Sequence, residues 1–175
     1  MTSGSTANDA AGELFEISRV LDAPRDRVWQ AFATAEALAQ WWGPVGFTIE
    51  VKKLKFRAGG IFHYCMKSPM GDMWGRFIYR EIAAPERIVF INSFSDPQGE
   101  ITRAPFPGLD LWPLEVLNTM TLVEKDGKTT LDLRGGPINA TAEELAVFRA
   151  GFDSMRQGFG GTWDQLAAYL SRGTQ

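Results

Sequence analysis

Side-chain catalysis needs an activated nucleophile, an acid–base pair or a metal-binding cluster, and this chain offers few candidates for any of them. It contains one histidine, His63, and one cysteine, Cys65. A lone histidine excludes multi-histidine sites. A lone cysteine excludes an internal disulfide and any Cys-rich zinc or iron–sulfur centre. His63 is the natural acid–base candidate, but it alternates with Ile61 and Cys65 on the strand face opposite Phe62 and Tyr64. It therefore points away from the apolar side, out of hydrogen-bond reach of anything held there. Cys65 shares the outward face, and no basic motif beside it would depress its pKa. The carboxylates are scattered: Asp132 at an outward strand position, Glu143 and Glu144 at the start of a helix. No catalytic residue, metal or cofactor is assigned. If the chain does catalyse, Tyr64 with Arg19 is the best remaining acid–base pair.

The residue pattern favours binding. Phe62, Tyr64, Met66, Phe90, Phe94 and Met120 share parity on neighbouring predicted strands, and Phe152, Met155 and Phe159 lie on one stripe of a predicted helix. Such stripes either pack a core or line a pocket. Two amides sharpen the second option. Asn92 falls among Ile88, Phe90 and Phe94, and Asn118 falls between Val116 and Met120. An amide on an apolar sheet face costs roughly 1–3 kcal/mol unless it is hydrogen-bonded. A ligand, an ordered water, nearby backbone or Tyr64 could satisfy it. Arg19, level with Phe15 and Ile17, either anchors an acidic group or snorkels to a carboxylate at the sheet edge.

The elements that must position these residues follow from periodicity. Alternation predicts strands over 14–21, 47–56, 61–67, 73–82, 87–94, 114–124 and 129–134. Two short helices are predicted between the first two strands, after Pro24 and up to Gly43-Pro44, where Gly caps and Pro forbids continuation. Lys125-Asp126-Gly127-Lys128 is a hairpin turn. From 141 to 171 the chain reads as one helix, opened by a Thr141–Glu144 capping box. Its stripe runs through Phe148, Phe152, Met155, Phe159, Trp163, Leu166 and Leu170. Consecutive strands joined by short turns make an antiparallel sheet, and the helix carries the matching apolar stripe. The fold class is α+β, a curved antiparallel sheet of six to seven strands gripping a long C-terminal helix.

Three features stand outside that pattern. Gly158, Gly160 and Gly161 each cost about 1 kcal/mol inside a helix, and they would either let it approach the sheet or kink it to open a mouth. Residues 95–113 are too long for an ordinary hairpin and keep Phe106, Leu109, Leu111 and Trp112. That suits a flap over a cavity, a dimer contact, a satellite cluster or a disordered segment. Trp41-Trp42 reads as a packing anchor between the short helices and the sheet rim.

Composition sets the bounds. A chain of 175 residues, 45% apolar and 22% charged, suits a globular domain. The net charge of −3 argues against nucleic acid or an anionic membrane as partner. Residues 1–12 read as a disordered leader without the features of a signal peptide, leaving 13–173 as a single domain. No apolar run is long enough to span a membrane. With the free thiol, this predicts a cytoplasmic protein.

Read in order, SRV-LDAP-RDRVW, the WWGP at 41–44, the GG-IFHYCM at 59–66, the PERIVF at 85–90 and the closing GF-x-x-x-W-x-x-L-x-x-YL resemble bacterial proteins related to the Hsp90 ATPase activator. These belong to the START-like (SRPBCC) superfamily. The resemblance spans about residues 15–170. It implies the helix-grip fold and a cavity between sheet and helix; relatives bind hydrophobic ligands, cyclise polyketides, stimulate a chaperone or confer resistance. The resulting expectation is a binder of a small hydrophobic molecule, contacted by Phe62, Tyr64, Met66, Phe90, Asn92, Phe94, Trp112, Asn118, Met120, Phe152, Met155 and Phe159. A homodimer is compatible with it. The alternatives are a cyclase or dehydratase and, less favoured, a chaperone-stimulating protein.

Overall fold

The structure, a computed structural model, describes residues 14–172. The leader expected at 1–12 lies outside the described residues, as do both ends of the expected 13–173 domain. Strand β1 (Phe15–Leu21) leads into α1 (Arg25–Ala33) and α2 (Ala35–Trp41). Six strands follow: β2 (Thr48–Leu54), β3 (Ile61–Ser68), β4 (Gly71–Ala83), β5 (Arg87–Phe94), β6 (Val116–Lys125) and β7 (Lys128–Pro137). Two helices, α3 (Ala142–Ala150) and α4 (Phe152–Arg172), close the chain.

The strands form one seven-stranded sheet in the order β1-β7-β6-β5-β4-β3-β2. Every neighbouring pair is antiparallel. Strands β2 to β7 follow one another as a meander. Helices α1 and α2 carry the chain from β1 at one edge to β2 at the other. Register shifts at Val51/Lys53 and Tyr79/Glu81 mark bulges, the device that bends a sheet. Asp126 and Gly127, with φ of 55° and 77°, form the two-residue turn between β6 and β7. This is the helix-grip arrangement.

Local chemistry explains the helix boundaries. Thr34 caps α2 by accepting from the Ala37 N–H at 3.1 Å. Thr141 and Glu144 form the reciprocal capping box at α3. The single helix expected over 141–171 is, however, two helices meeting at Gly151 (φ −90°, ψ 3°). A Cβ at Gly151 would lie 2.9 Å from Cζ3 of Trp112, so the missing side chain makes room for that indole. Helical bonding resumes at once, with the Met155 N–H donating to the Gly151 carbonyl at 2.9 Å.

The concave face and α4 enclose the core. Trp163, Leu166 and Leu170 of α4 are buried with Leu131 and Leu133 of β7, Met120 and Leu122 of β6, and Phe62 of β3. Trp41 joins them, its indole N–H donating to the Ala31 carbonyl at 3.0 Å. A second cluster of Phe15, Val116 and Phe148 takes in Phe152 and one side of Phe159. Among the described residues no helix is long and apolar enough to cross a membrane.

Candidate functional site: an uncharged chamber under the 95–113 loop

A chamber of about 750 Å³ opens between the concave face, the α3–α4 helices and the 95–113 loop. That volume falls within the roughly 300–1,000 Å³ of small-molecule pockets. The sheet supplies the floor: Tyr64 and Met66 of β3, Met73 and Gly75 of β4, Asn92 and Phe94 of β5. The loop supplies Phe106, Leu109 and Trp112, and the segment after α2 supplies Trp42, Pro44 and Phe47. Among the described residues no Asp, Glu, Lys, Arg or His side chain lines the chamber.

The helical wall carries a row of small residues beside Met155 and Phe159. Val147, Gly151, Ser154, Gly158 and Thr162 face the chamber. Each sits one position before a member of the aromatic stripe at 148, 152, 155, 159 and 163, which places the two stripes side by side, about 100° apart on the helix. The large stripe seats the helix on the sheet, while the small one leaves space beside it. A Cβ on Gly158 would meet nothing within 4 Å. Gly160 is equally unobstructed, and at Gly161 a Cβ would make only ordinary contact with Val45 and Pro44. The three glycines therefore do not draw α4 tightly onto the sheet, and helix α4 runs uninterrupted through them. Of the glycines between 151 and 161, Gly151 is the one that is closely approached.

Of the residues singled out in the sequence, Tyr64, Met66, Asn92, Phe94, Trp112, Met155 and Phe159 come together around the chamber. Phe62, Phe90, Asn118, Met120 and Phe152 do not line it. Phe90 and Met120 lie deeper on the same face, where Phe90 stacks on Phe77 at 4.0 Å. Phe62 meets Phe77 edge-on at 5.2 Å. Phe152 turns towards Phe15 at 5.7 Å. Asn118 is buried and donates to the Val116 carbonyl at 3.3 Å, with its Oδ1 against Gly135, where a Cβ would be 2.1 Å away. Face parity places a residue on the right side of a sheet but says nothing of how far along the groove the helix leaves room. Trp42 anchors as expected, edge-on to Phe77 at 5.2 Å, and lines the chamber as well. The small stripe was the readable signal that the aromatic stripe obscured.

Polar groups on the floor are few and well defined. Asn92 donates through Nδ2 to the Arg76 carbonyl at 3.2 Å and to the Tyr64 hydroxyl at 3.5 Å. Burial pushes the Tyr64 phenol up to about 12, partly offset by the neighbouring donors of Trp42 and Asn92. The Tyr64 hydroxyl lies where a Cβ on Gly75 would be 2.6 Å from it, so only glycine lets this ring lie flat on β4.

The loop is fastened at both ends. Near its start, His63 and Arg76 of the convex face reach it: Nε2 of His63 lies 3.2 Å from the Asp96 carbonyl, and Arg76 donates to the Gly99 carbonyl at 2.8 Å. Nearer the chamber, Arg103 pairs with Glu144 at 2.5 Å and donates to the Trp112 carbonyl at 3.2 Å. Arg103 holds the Glu144 carboxyl below its ordinary value, assisted by the Thr141 backbone N–H. Phe106 covers Phe94 edge-on at 6.0 Å, and Trp112 packs on Phe148 at 5.4 Å. His63 therefore lies outside the chamber, its ring tilted against Trp74 at 5.3 Å. Burial raises the Cys65 thiol pKa. Arg19 pairs with Asp164 at 2.8 Å and donates to the Gly160 carbonyl at 3.3 Å, so it does not meet Tyr64 in the chamber.

Residues 22–171 match the family described as Activator of Hsp90 ATPase homolog 1-like protein. Similar solved structures include a protein from Arthrobacter aurescens, 23% identical, TM-score 0.76, covering 95% of this chain and 90% of that one. Protein Ms6760 from Mycobacterium smegmatis is 24% identical, TM-score 0.75, covering 95% and 96%. DynU16, from the dynemicin biosynthetic locus, is 20% identical, TM-score 0.58, covering 92% of this chain and 48% of its own. At such identities the likeness is one of fold. No curated protein matches the chain.

Proposed function

The chain belongs to the family of Activator of Hsp90 ATPase homolog 1-like proteins, and from that premise we propose that it binds a small hydrophobic molecule in the chamber between sheet, helix α4 and the 95–113 loop. The observation that carries this reading is an uncharged space of about 750 Å³ beneath the 95–113 loop, lined mainly by apolar side chains. A ligand burying roughly 300 Å² of apolar surface gains about 7.5 kcal/mol at about 25 cal/mol per Å², before the cost of association. Tyr64, Met66, Asn92, Phe94, Trp112, Met155 and Phe159 make the contacts in this reading. Phe62, Phe90, Asn118, Met120 and Phe152 support the surfaces behind them.

Residues 13–173 then act as one domain around the chamber, and the 95–113 loop is its lid. The Arg103–Glu144 pair and the seating of Phe106 on Phe94 and of Trp112 on Phe148 favour the lid over a dimer contact. A buried free thiol at Cys65 is compatible with the reducing cytoplasm, where we place the protein. One fold neighbour comes from a biosynthetic locus, a compatible setting for a small-molecule binder. The test is a screen of lipids, polyketides and polycyclic aromatics by native mass spectrometry and thermal shift. A stoichiometric binder that raises Tm is expected; a saturating screen without one contradicts the reading.

A further inference from the structure

Resting on that ligand-binding reading, we infer that the molecule held in the chamber is uncharged and carries a hydroxyl group, phenolic or alcoholic, which pairs with Asn92 Oδ1 and the Tyr64 hydroxyl together. Both hydrogen bonds made by the Asn92 side chain use Nδ2. One acceptor is the Arg76 carbonyl, which can only accept, so the amide nitrogen must lie on that side and Oδ1 on the other. Among the described residues no group donates to Oδ1, and Asn92 lines the chamber. The Tyr64 oxygen accepts from Asn92, which leaves the phenolic proton free to donate. Burial raises the pKa of that phenol, so the proton stays in place. Contact with Gly75 fixes the ring. The floor thus presents one acceptor beside one donor, and a hydroxyl is the smallest group that answers both.

Other chemistries answer less well. A carboxylate brings only acceptors to Asn92 Oδ1 and finds no cation in the chamber wall. An ammonium could donate to Oδ1 but would lack an anion. An ether or ketone takes the Tyr64 proton and leaves Oδ1 unpaired once water is displaced.

The test is a fluorescence titration of the full chain at mildly acidic pH with pyrene, 1-hydroxypyrene, 1-methoxypyrene and 1-pyrenecarboxylate. The hydroxyl compound should bind about tenfold tighter than its methyl ether, the scale of one satisfied buried hydrogen bond, with the carboxylate weakest. In Tyr64→Phe, and separately in Asn92→Leu, that preference should fall to roughly twofold or less, with urea unfolding of each variant reporting that the fold persists and Gly160→Ala, outside the chamber, keeping the wild-type preference. Equal binding of hydroxyl and methoxy compounds, carboxylate binding as tight as hydroxyl, or a preference unchanged in both variants overturns the inference and leaves the binding reading intact. Failure of all four compounds to bind overturns the reading along with it.

Discussion

The two ends of the concave face are built on the same strands and covered by the same helix, yet one is solid and the other hollow. At the solid end the space left among Phe77, Phe90, Met120, Leu133 and Trp163 is about 10 Å³, room for one water at most. At the other end it is about 750 Å³. Trp42 and Phe159 line both spaces and form the partition. The backbone does not account for the difference. On the floor, Phe77 and Tyr79 give way along β4 to Gly75 and Met73. On the helix, Trp163, Leu166 and Leu170 plug the solid end, while Gly151, Ser154 and Gly158 withdraw from the other. Where dense packing is the rule, a space kept open by glycines in a helix is the part of the molecule that stability alone does not require.

That contrast can be broken at several points. The largest effect is expected at the solid end: Trp163→Ala removes a fully buried ring and should cost about 3–5 kcal/mol in urea unfolding. Met66→Ala on the chamber floor should cost less than half as much, because part of the methionine already faces open space. Next is Gly75→Ala. Its Cβ would stand 2.6 Å from the Tyr64 hydroxyl and should drive that ring into the chamber, lowering stability by about 1–3 kcal/mol and weakening 1-hydroxypyrene binding with it. Gly160→Ala, outside the chamber and sterically free, should raise stability by about 1 kcal/mol and leave binding unchanged in the same titration.

The smallest effect concerns the lid. Arg103 lowers the Glu144 pKa from its ordinary 4.5. The tether is therefore whole above that value and is lost as pH falls through the lowered one. Stopped-flow dissociation of 1-hydroxypyrene should quicken a few-fold on going from about pH 6 to about pH 3, and Arg103→Gln should be equally fast at both.

Most of the architecture was legible because it rests on local signals. Alternation in 61–67 and 87–94, the Asp126-Gly127 turn and the Thr141–Glu144 capping box each act within a few residues. The break at Gly151 was not legible, since its cause is Trp112, a residue far away in the chain that fills the place of a side chain. The site was half legible for a related reason. Parity put Tyr64, Asn92 and Phe94 on the correct face, and Phe62, Phe90 and Met120 with them. Only the position of the partition, set by Trp42 and Phe159 in three dimensions, separates the two groups. The glycines at 158, 160 and 161 look alike in sequence and do different things: one faces the chamber, one is free, and one touches the loop after α2.

Gly158 offers the most direct test of an open chamber. It lines the space and a Cβ there touches nothing within 4 Å, so Gly158→Leu can be accommodated only by filling the chamber. Measured side by side, urea unfolding and 1-hydroxypyrene titration should show stability equal to or above wild type and affinity reduced at least tenfold. A variant equally stable that binds as tightly as wild type would show that the ligand does not occupy the space between sheet and helix.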